Sequence, residues 1–241
     1  MIELDQAGAR YQNDGPWAVR RVSFEVAAGE TLALLGPSGC GKSSTLKMVN
    51  GLLPFQEGSV RAEGRSVAEW DLPTLRRRLG YVVQRGGLFP HRSVAENIDA
   101  VARLERWDEG RRNERVRSLL AQVELGEEFA ARKPAELSGG QAQRVALARA
   151  LMLDPPALLM DEPFSALDPI TKHELHRWFK SFSRQLNKAV LWVTHDARAA
   201  LRLADRIAVM DAGTIVQLGT PQALRASPSS EWVARVLGAD T

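Results

Sequence analysis

The residues Gly36-Pro37-Ser38-Gly39-Cys40-Gly41-Lys42-Ser43 fit the spacing G-x-x-x-x-G-K-[ST]. Each residue type suits the binding of phosphate. Glycines let the backbone fold so that several N–H groups converge on oxygen atoms. A helix opening directly after the loop adds the positive end of its dipole. Lys42 brings a charge for the β- and γ-phosphates of a nucleotide, and the Ser43 hydroxyl is placed to ligate Mg²⁺. Cys40 is the one cysteine of the chain. No histidine is near it in sequence to activate it, so it reads as a small loop residue rather than a nucleophile.

Two acids end another apolar run, Leu158-Leu159-Met160-Asp161-Glu162. Acids at the carboxyl end of a strand lie where α/β sheets bind ligands. Asp161 is expected to hold the Mg²⁺, commonly through water, and Glu162 to polarise an attacking water as general base. The competing reading is a strand followed by an acid that caps a helix, and it loses weight beside a phosphate loop. His195 follows the apolar run Val190 to Val193. It falls at the same sheet edge as Asp161, placed to contact a γ-phosphate or to position the attacking water. Gln84 ends the short run Tyr81-Val82-Val83 and begins a loop, from which its amide can reach Mg²⁺ or water.

These residues need a frame. Apolar residues at Val19, Val22, Phe24 and Val26 suit antiparallel strands. TLALLG at 31–36 is a buried strand leading into the loop, and a helix runs from Lys42 to about Leu52. The stretch from Gly58 to Val67 reads as a hairpin. From about Arg85 to Asp154 the pattern is helical, with Val116, Leu119, Leu120 and Val123 on one face and Val145, Ala148, Leu151 and Met152 on another. Strands return at 157–160, 189–194 and 206–210 with helices between them. This alternation predicts an α/β fold with a parallel sheet. Residues 1–84 and 155–241 would form the core with an N-terminal antiparallel β subdomain, and 85–154 an inserted α-helical subdomain.

Composition bounds the function classes. The 241 residues are 44% apolar and 25% charged, an ordinary globular balance. A single cysteine excludes an intrachain disulfide and suits a reducing cytosol. The N-terminus carries no basic-then-apolar leader. The longest apolar runs are far too short to span a bilayer, so action at a membrane would need partner chains. The formal charge of +3 comes with basic clusters at Arg20–Arg21, Arg76–Arg78 and Arg111–Arg112, but Glu105, Asp108, Glu109 and Glu114 are interspersed. These clusters therefore read as solvated surface, with no nucleic-acid partner expected.

Leu137-Ser138-Gly139-Gly140-Gln141, followed by Gln143-Arg144-Val145, resembles the signature motif of ABC (ATP-binding cassette) ATPases. Ser138 can cap a helix whose first N–H groups point outward, a second anion site too far from the first to share a nucleotide within one chain. The resemblance covers nearly the whole chain. It implies that Tyr11 stacks on adenine and that residues 36–43, with Ser44 after them, are Walker A. It further implies that Gln84 is the Q-loop, Ser138 to Gln141 the signature, 158–162 Walker B, Ser165-Ala166-Leu167-Asp168 the D-loop and His195 the switch histidine. The implied fold is a P-loop NTPase core, and the implied ligands are ATP and Mg²⁺. The implied mechanism is a dimer of cassettes, two copies of this chain, that closes on two ATP molecules, hydrolyses them and reopens. The motion would pass to membrane-spanning permease subunits at the cytoplasmic face of the cell membrane. Gly86-Gly87-Leu88-Phe89-Pro90-His91 would form the groove for a permease helix, or an apolar loop packing on its own subdomain.

The strings at 75–98, 160–172 and 46–54 look most like ATPases of osmoprotectant importers for glycine betaine, choline or carnitine, which implies an extracytoplasmic solute-binding protein as a further partner. The sequence departs from many such relatives in ending at Thr241 without a CBS-type extension, so sensing by such domains is not expected. Ala142 and Ser44 are milder departures. Other readings are an importer ATPase for another small solute such as an amino acid, and a non-transport ABC ATPase. The second would call for a long coiled-coil insertion or two cassettes. A non-hydrolysing regulator would be expected to lack Glu162 or His195, and both are present.

Overall fold

The computed structural model describes all residues except Asn13, Arg85, Gly86, Ala166 and 239–241. Along the chain the elements run β1 (Ile2–Ala9), β2 (Val19–Val26), β3 (Thr31–Leu35), α1 (Lys42–Val49), β4 (Glu57–Ala62), β5 (Arg65–Ser66), α2 (Leu72–Arg78) and β6 (Leu79–Val82). Next come α3 (Val94–Ile98), α4 (Ala100–Leu104), α5 (Glu109–Gln122) and α6 (Gly139–Ala150). The remainder is β7 (Ala157–Asp161), α7 (Pro169–Leu186), β8 (Ala189–Thr194), α8 (Ala197–Leu203), β9 (Arg206–Asp211), β10 (Thr214–Gly219), α9 (Pro221–Ala226) and α10 (Glu231–Val236).

The strands form two sheets. One is four-stranded, in the order β2-β1-β4-β5, and antiparallel throughout. The other is six-stranded, in the order β10-β9-β3-β8-β7-β6. Its strands are parallel apart from β10, which returns antiparallel along β9. That return departs from the parallel pairing expected of the sheet. It is made by a two-residue turn in which Ala212 and Gly213 both hold positive φ, 43° and 82°, the twist that closes a tight hairpin.

Every residue of β3 and β8 is buried, as expected of strands covered on both faces. Alternate side chains feed two cores. Leu32, Leu34, Leu159, Leu191 and Val193 pack with α1 and the antiparallel sheet. Ala33, Leu35, Leu158, Met160, Val190 and Trp192 pack with the helices of the opposite side. On that side α7 buries Leu175, Trp178, Phe179, Phe182 and Leu186, one helical stripe. Phe164 meets Trp192 edge-on at 5.6 Å, and Trp178 stacks on Phe182 at 4.5 Å. Burial of each such side chain stabilises the fold by ~1.5–3 kcal/mol.

Parallel pairing brings distant residues together. Leu35 pairs with Thr194 and Asp161 with Val193, so the loops after β3, β7 and β8 leave the sheet side by side. Val82 pairs with Met160, which places the loop after β6 beside the end of β7.

Candidate active site

The loop between β3 and α1 is held by close backbone approaches. A Cβ at Gly36 would collide with the carbonyl oxygen of Met210. Gly41 has φ 101°, and a Cβ there would sit 2.6 Å from the Ala18 carbonyl oxygen. Both positions therefore require glycine. Lys42 is buried, and its Nζ donates to the carbonyl oxygens of Gly36 and Pro37, each at 2.8 Å. The ammonium thus closes the loop on itself and lies where it can exchange those carbonyls for an anion. Cys40 is also buried. Burial pushes its thiol above the usual range although the Lys42 charge opposes it, so it is not poised as a nucleophile. Tyr11 is exposed, its hydroxyl 3.1 Å from Ser44 Oγ and its ring 5.5 Å from Lys47 Nζ. An open aromatic face thus stands beside the start of α1.

At the end of β7 the acids divide their work. Ser43 Oγ donates to Asp161 Oδ1 at 2.9 Å. Burial raises the Asp161 carboxyl above its usual range, the Glu162 charge adds to this, and the Ser43 bond with the Lys47 and Lys42 charges opposes it. A half-buried carboxylate next to a second acid in the chain is a place where a cation relieves like-charge repulsion. The donors are a serine hydroxyl and a carboxylate, with the Gln84 amide close to the next residue. This oxygen set fits a hard divalent ion such as Mg²⁺.

Glu162 adopts φ 45°, a left-handed conformation that costs a non-glycine residue ~1–2 kcal/mol. Three bonds hold it. Its N–H donates to the Val193 carbonyl at 3.0 Å, and its own carbonyl accepts from Ser165 N–H at 3.2 Å and Ser165 Oγ at 3.0 Å. The carboxylate then meets two partners. His195 Nδ1 lies 3.0 Å from Oε1, and Gln84 Nε2 donates to Oε2 at 3.3 Å. Residues from three strand ends therefore converge on one carboxylate.

Ser138 opens α6 in a capping box. Its Oγ accepts from Gln141 N–H at 3.3 Å, while Gln141 Oε1 accepts from Ser138 N–H at 3.0 Å. Ser138 and Gly139 are exposed. A Cβ at Gly140 would crowd Thr171 of α7. Among the described residues no hydrogen bond joins residues 137–141 to the loop at 36–44. Asp168 caps α7, accepting from the N–H groups of Ile170 and Thr171 at 3.1 Å, and the Thr171 side chain, followed by these backbone bonds, lowers its carboxyl. Ala166 of the expected D-loop and Gly86 of the expected groove lie outside the described residues.

Two features escaped the sequence reading. Asn97, fully buried, clamps the loop before α3. Its Oδ1 accepts from Phe89 N–H at 2.7 Å, and its Nδ2 donates to the carbonyls of Phe89, Arg92 and Ser93. Arg149 donates to the Gly87 carbonyl at 2.7 Å. Leu88 packs inward while Phe89 stays exposed, so the loop both covers its own core and presents an apolar side chain. The second feature is the ion pair of Lys172 on α7 with Asp196, which caps α8 directly after His195. The signal for Asn97 was an amide inside an otherwise apolar helix face. For Lys172 and Asp196 the chain offered only a charge on each of two distant segments.

A protein-family model described as ABC transporter matches residues 19–165. The chain belongs to the ABC transporter family. It is 46% identical to the glycine betaine/carnitine/choline transport ATP-binding protein OpuCA of Bacillus subtilis, over 99% of this chain and 62% of that protein. It is 46% identical to the osmoprotectant import ATP-binding protein OsmV of Salmonella typhimurium, over 92% of this chain and 59% of that protein. The chain thus spans about three fifths of the length of these relatives. Among solved structures, a dimeric post-hydrolysis state of an ATP-binding cassette bound to ADP and Pi superposes with a TM-score of 0.78 at 31% identity, covering 92% of this chain and 99% of that one. The fold of this ABC chain is accordingly the α/β fold of the P-loop ATPases.

Proposed function

We propose that this ABC chain is the ATP-binding and ATP-hydrolysing subunit of an importer, and that it energises uptake of a quaternary-amine osmoprotectant such as glycine betaine, choline or carnitine. The observation that carries the ATPase reading is the convergence on Glu162. A carboxylate held by His195 and Gln84 stands next to Asp161, which is bonded to the Ser43 hydroxyl at the end of the phosphate loop.

In this reading the N–H groups of 36–44 and the Lys42 ammonium bind the phosphates, and the Tyr11 ring lies against the base. Ser43, Asp161 and Gln84 would hold Mg²⁺, which supplies charge neutralisation at the phosphates. Glu162 takes the proton of the attacking water, and His195 orients Glu162 and the γ-phosphate. Ser138, Gly139, Gly140 and Gln141, with Asp168, serve the nucleotide of a second copy in a head-to-tail dimer. The division of labour follows the chain. Residues 1–84 and 155–241 form the nucleotide-binding core, and 85–154 a helical subdomain. The groove at Gly87 to His91 receives a membrane-spanning permease at the cytoplasmic face. A solute-binding protein outside delivers the solute. No described helix is long and apolar enough to cross a membrane, so this assignment gives the membrane passage to the permease.

The solute class rests on likeness to OpuCA and OsmV, since solute would not touch these residues. The test is uptake of labelled glycine betaine and choline at high osmolarity, in cells with the gene deleted. Restoration by the wild type but not by Lys42→Ala is expected. Unchanged uptake after deletion, in cells without a redundant system, would remove the solute assignment.

A further inference from the structure

At the end of the sheet opposite the phosphate loop lies a cavity of about 260 Å³. Thr31, the first residue of β3, forms part of its wall, with Ser183 and the cations Lys180 and Arg184 from the last turns of α7. Arg202, from the last turn of α8, stands on the other side. One acid is present, Asp205, and its Oδ2 is engaged by the Thr31 N–H at 2.8 Å. Among the described residues none of Lys180, Arg184 and Arg202 has a carboxylate within ion-pair distance, whereas eleven other ion pairs are formed elsewhere. The wall therefore carries three positive charges against one negative.

A helix dipole accounts for one cation at each helix end, Arg184 on α7 and Arg202 on α8. It does not account for Lys180, which lies four residues before Arg184 on the same face of α7. Like charges at that spacing destabilise a helix by ~0.2–0.5 kcal/mol, and among the described residues no ion pair offsets these two. Lys180 is half-buried, so its charge is not simply spread into solvent. Drug-sized ligands occupy about 300–1,000 Å³. A cavity below that range with hydroxyls and cations on its wall suits a small oxyanion rather than a nucleotide.

We propose that this cavity is a second anion site, separate from the nucleotide site, which takes a phosphate group between Lys180, Arg184 and Arg202. The group belongs either to a free phosphate or to a lipid headgroup. The site is placed to act on turnover. The two helices that end at it begin at Asp168 and Asp196, and their N-terminal turns are joined by the Lys172–Asp196 ion pair beside His195.

The test uses the whole chain and labelled inorganic phosphate, measured by equilibrium dialysis with a saturating non-hydrolysable ATP analogue present to fill the nucleotide site, γ-phosphate position included. Wild type and Lys42→Ala should each bind one phosphate saturably. Arg184→Gln/Arg202→Gln should lose it at least tenfold. In phosphate-free buffer that double variant should melt close to the wild type, since relief of the Lys180–Arg184 crowding and loss of a cation at each helix end oppose each other. Phosphate should raise the melting temperature of the wild type only. A companion arm measures sedimentation with phosphatidylglycerol and phosphatidylcholine vesicles. Selective binding to the anionic vesicles, lost in the double variant, assigns the group to a lipid. Saturable dialysis binding assigns it to free phosphate. If neither probe distinguishes the double variant from the wild type, the site does not exist.

Discussion

Glu162 shows how one side chain is made ready at a cost. Its left-handed backbone is an unfavourable conformation for a glutamate. The Val193 carbonyl and both donors of Ser165 hold it there, so the carboxylate points at His195 and Gln84. Glutamine has the same shape, and its one amide oxygen keeps one of the two contacts while its amide N–H meets the other partner once the Gln84 amide turns over. Glu162→Gln should therefore fold and bind ATP as the wild type does, yet lose ATP turnover by ~10²–10⁴-fold, the usual contribution of a positioned general base. Steady-state phosphate release alongside nucleotide titration measures this. A variant that turns over within threefold of the wild type would take the base role away from Glu162.

At the scale of elements, the parallel sheet does the positioning, and this was largely legible. Unbroken apolar runs marked β3, β7 and β8, and a chemical residue followed each: Gly36, Asp161 and His195. What the chain could not give was pairing order. That Asp161 lies beside Val193, and hence Glu162 beside His195, follows from the register of β7 on β8. The antiparallel β10 and the role of Asn97 were hidden for a related reason. The first depends on two positive φ angles in a turn, and the second on loop carbonyls that only the fold aims at one amide. Asn97 makes a prediction of its own. Asn97→Leu removes four hydrogen bonds from the loop before α3, at ~1–3 kcal/mol for each buried group left unpaired. The expected result is a lower urea midpoint with nucleotide affinity nearly intact, because the loop contributes no residue to the phosphate cradle. Unchanged stability would mean that water or a shifted loop satisfies these groups.

At the scale of the molecule, each chain presents two separate anion-ready surfaces, the phosphate loop and the capped end of α6, with no bond between them among the described residues. In the proposed head-to-tail pair each nucleotide would meet both. Glu162→Gln, which should bind ATP without consuming it, is expected to sediment as a dimer with ATP and Mg²⁺ and as a monomer with ADP. Ser138 supplies the sharper control. Aspartate caps a helix as well as serine does, so Ser138→Asp preserves α6, but it sets a negative charge against the triphosphate of the opposite chain. In the Glu162→Gln background Ser138→Asp should abolish the ATP-dependent dimer, while ATP affinity of the single chain, set by 36–44, stays within about twofold, a change of less than ~0.5 kcal/mol. A dimer that survives Ser138→Asp would place the second nucleotide contact elsewhere than α6. A Glu162→Gln chain that stays monomeric with ATP would remove the shared-nucleotide arrangement itself.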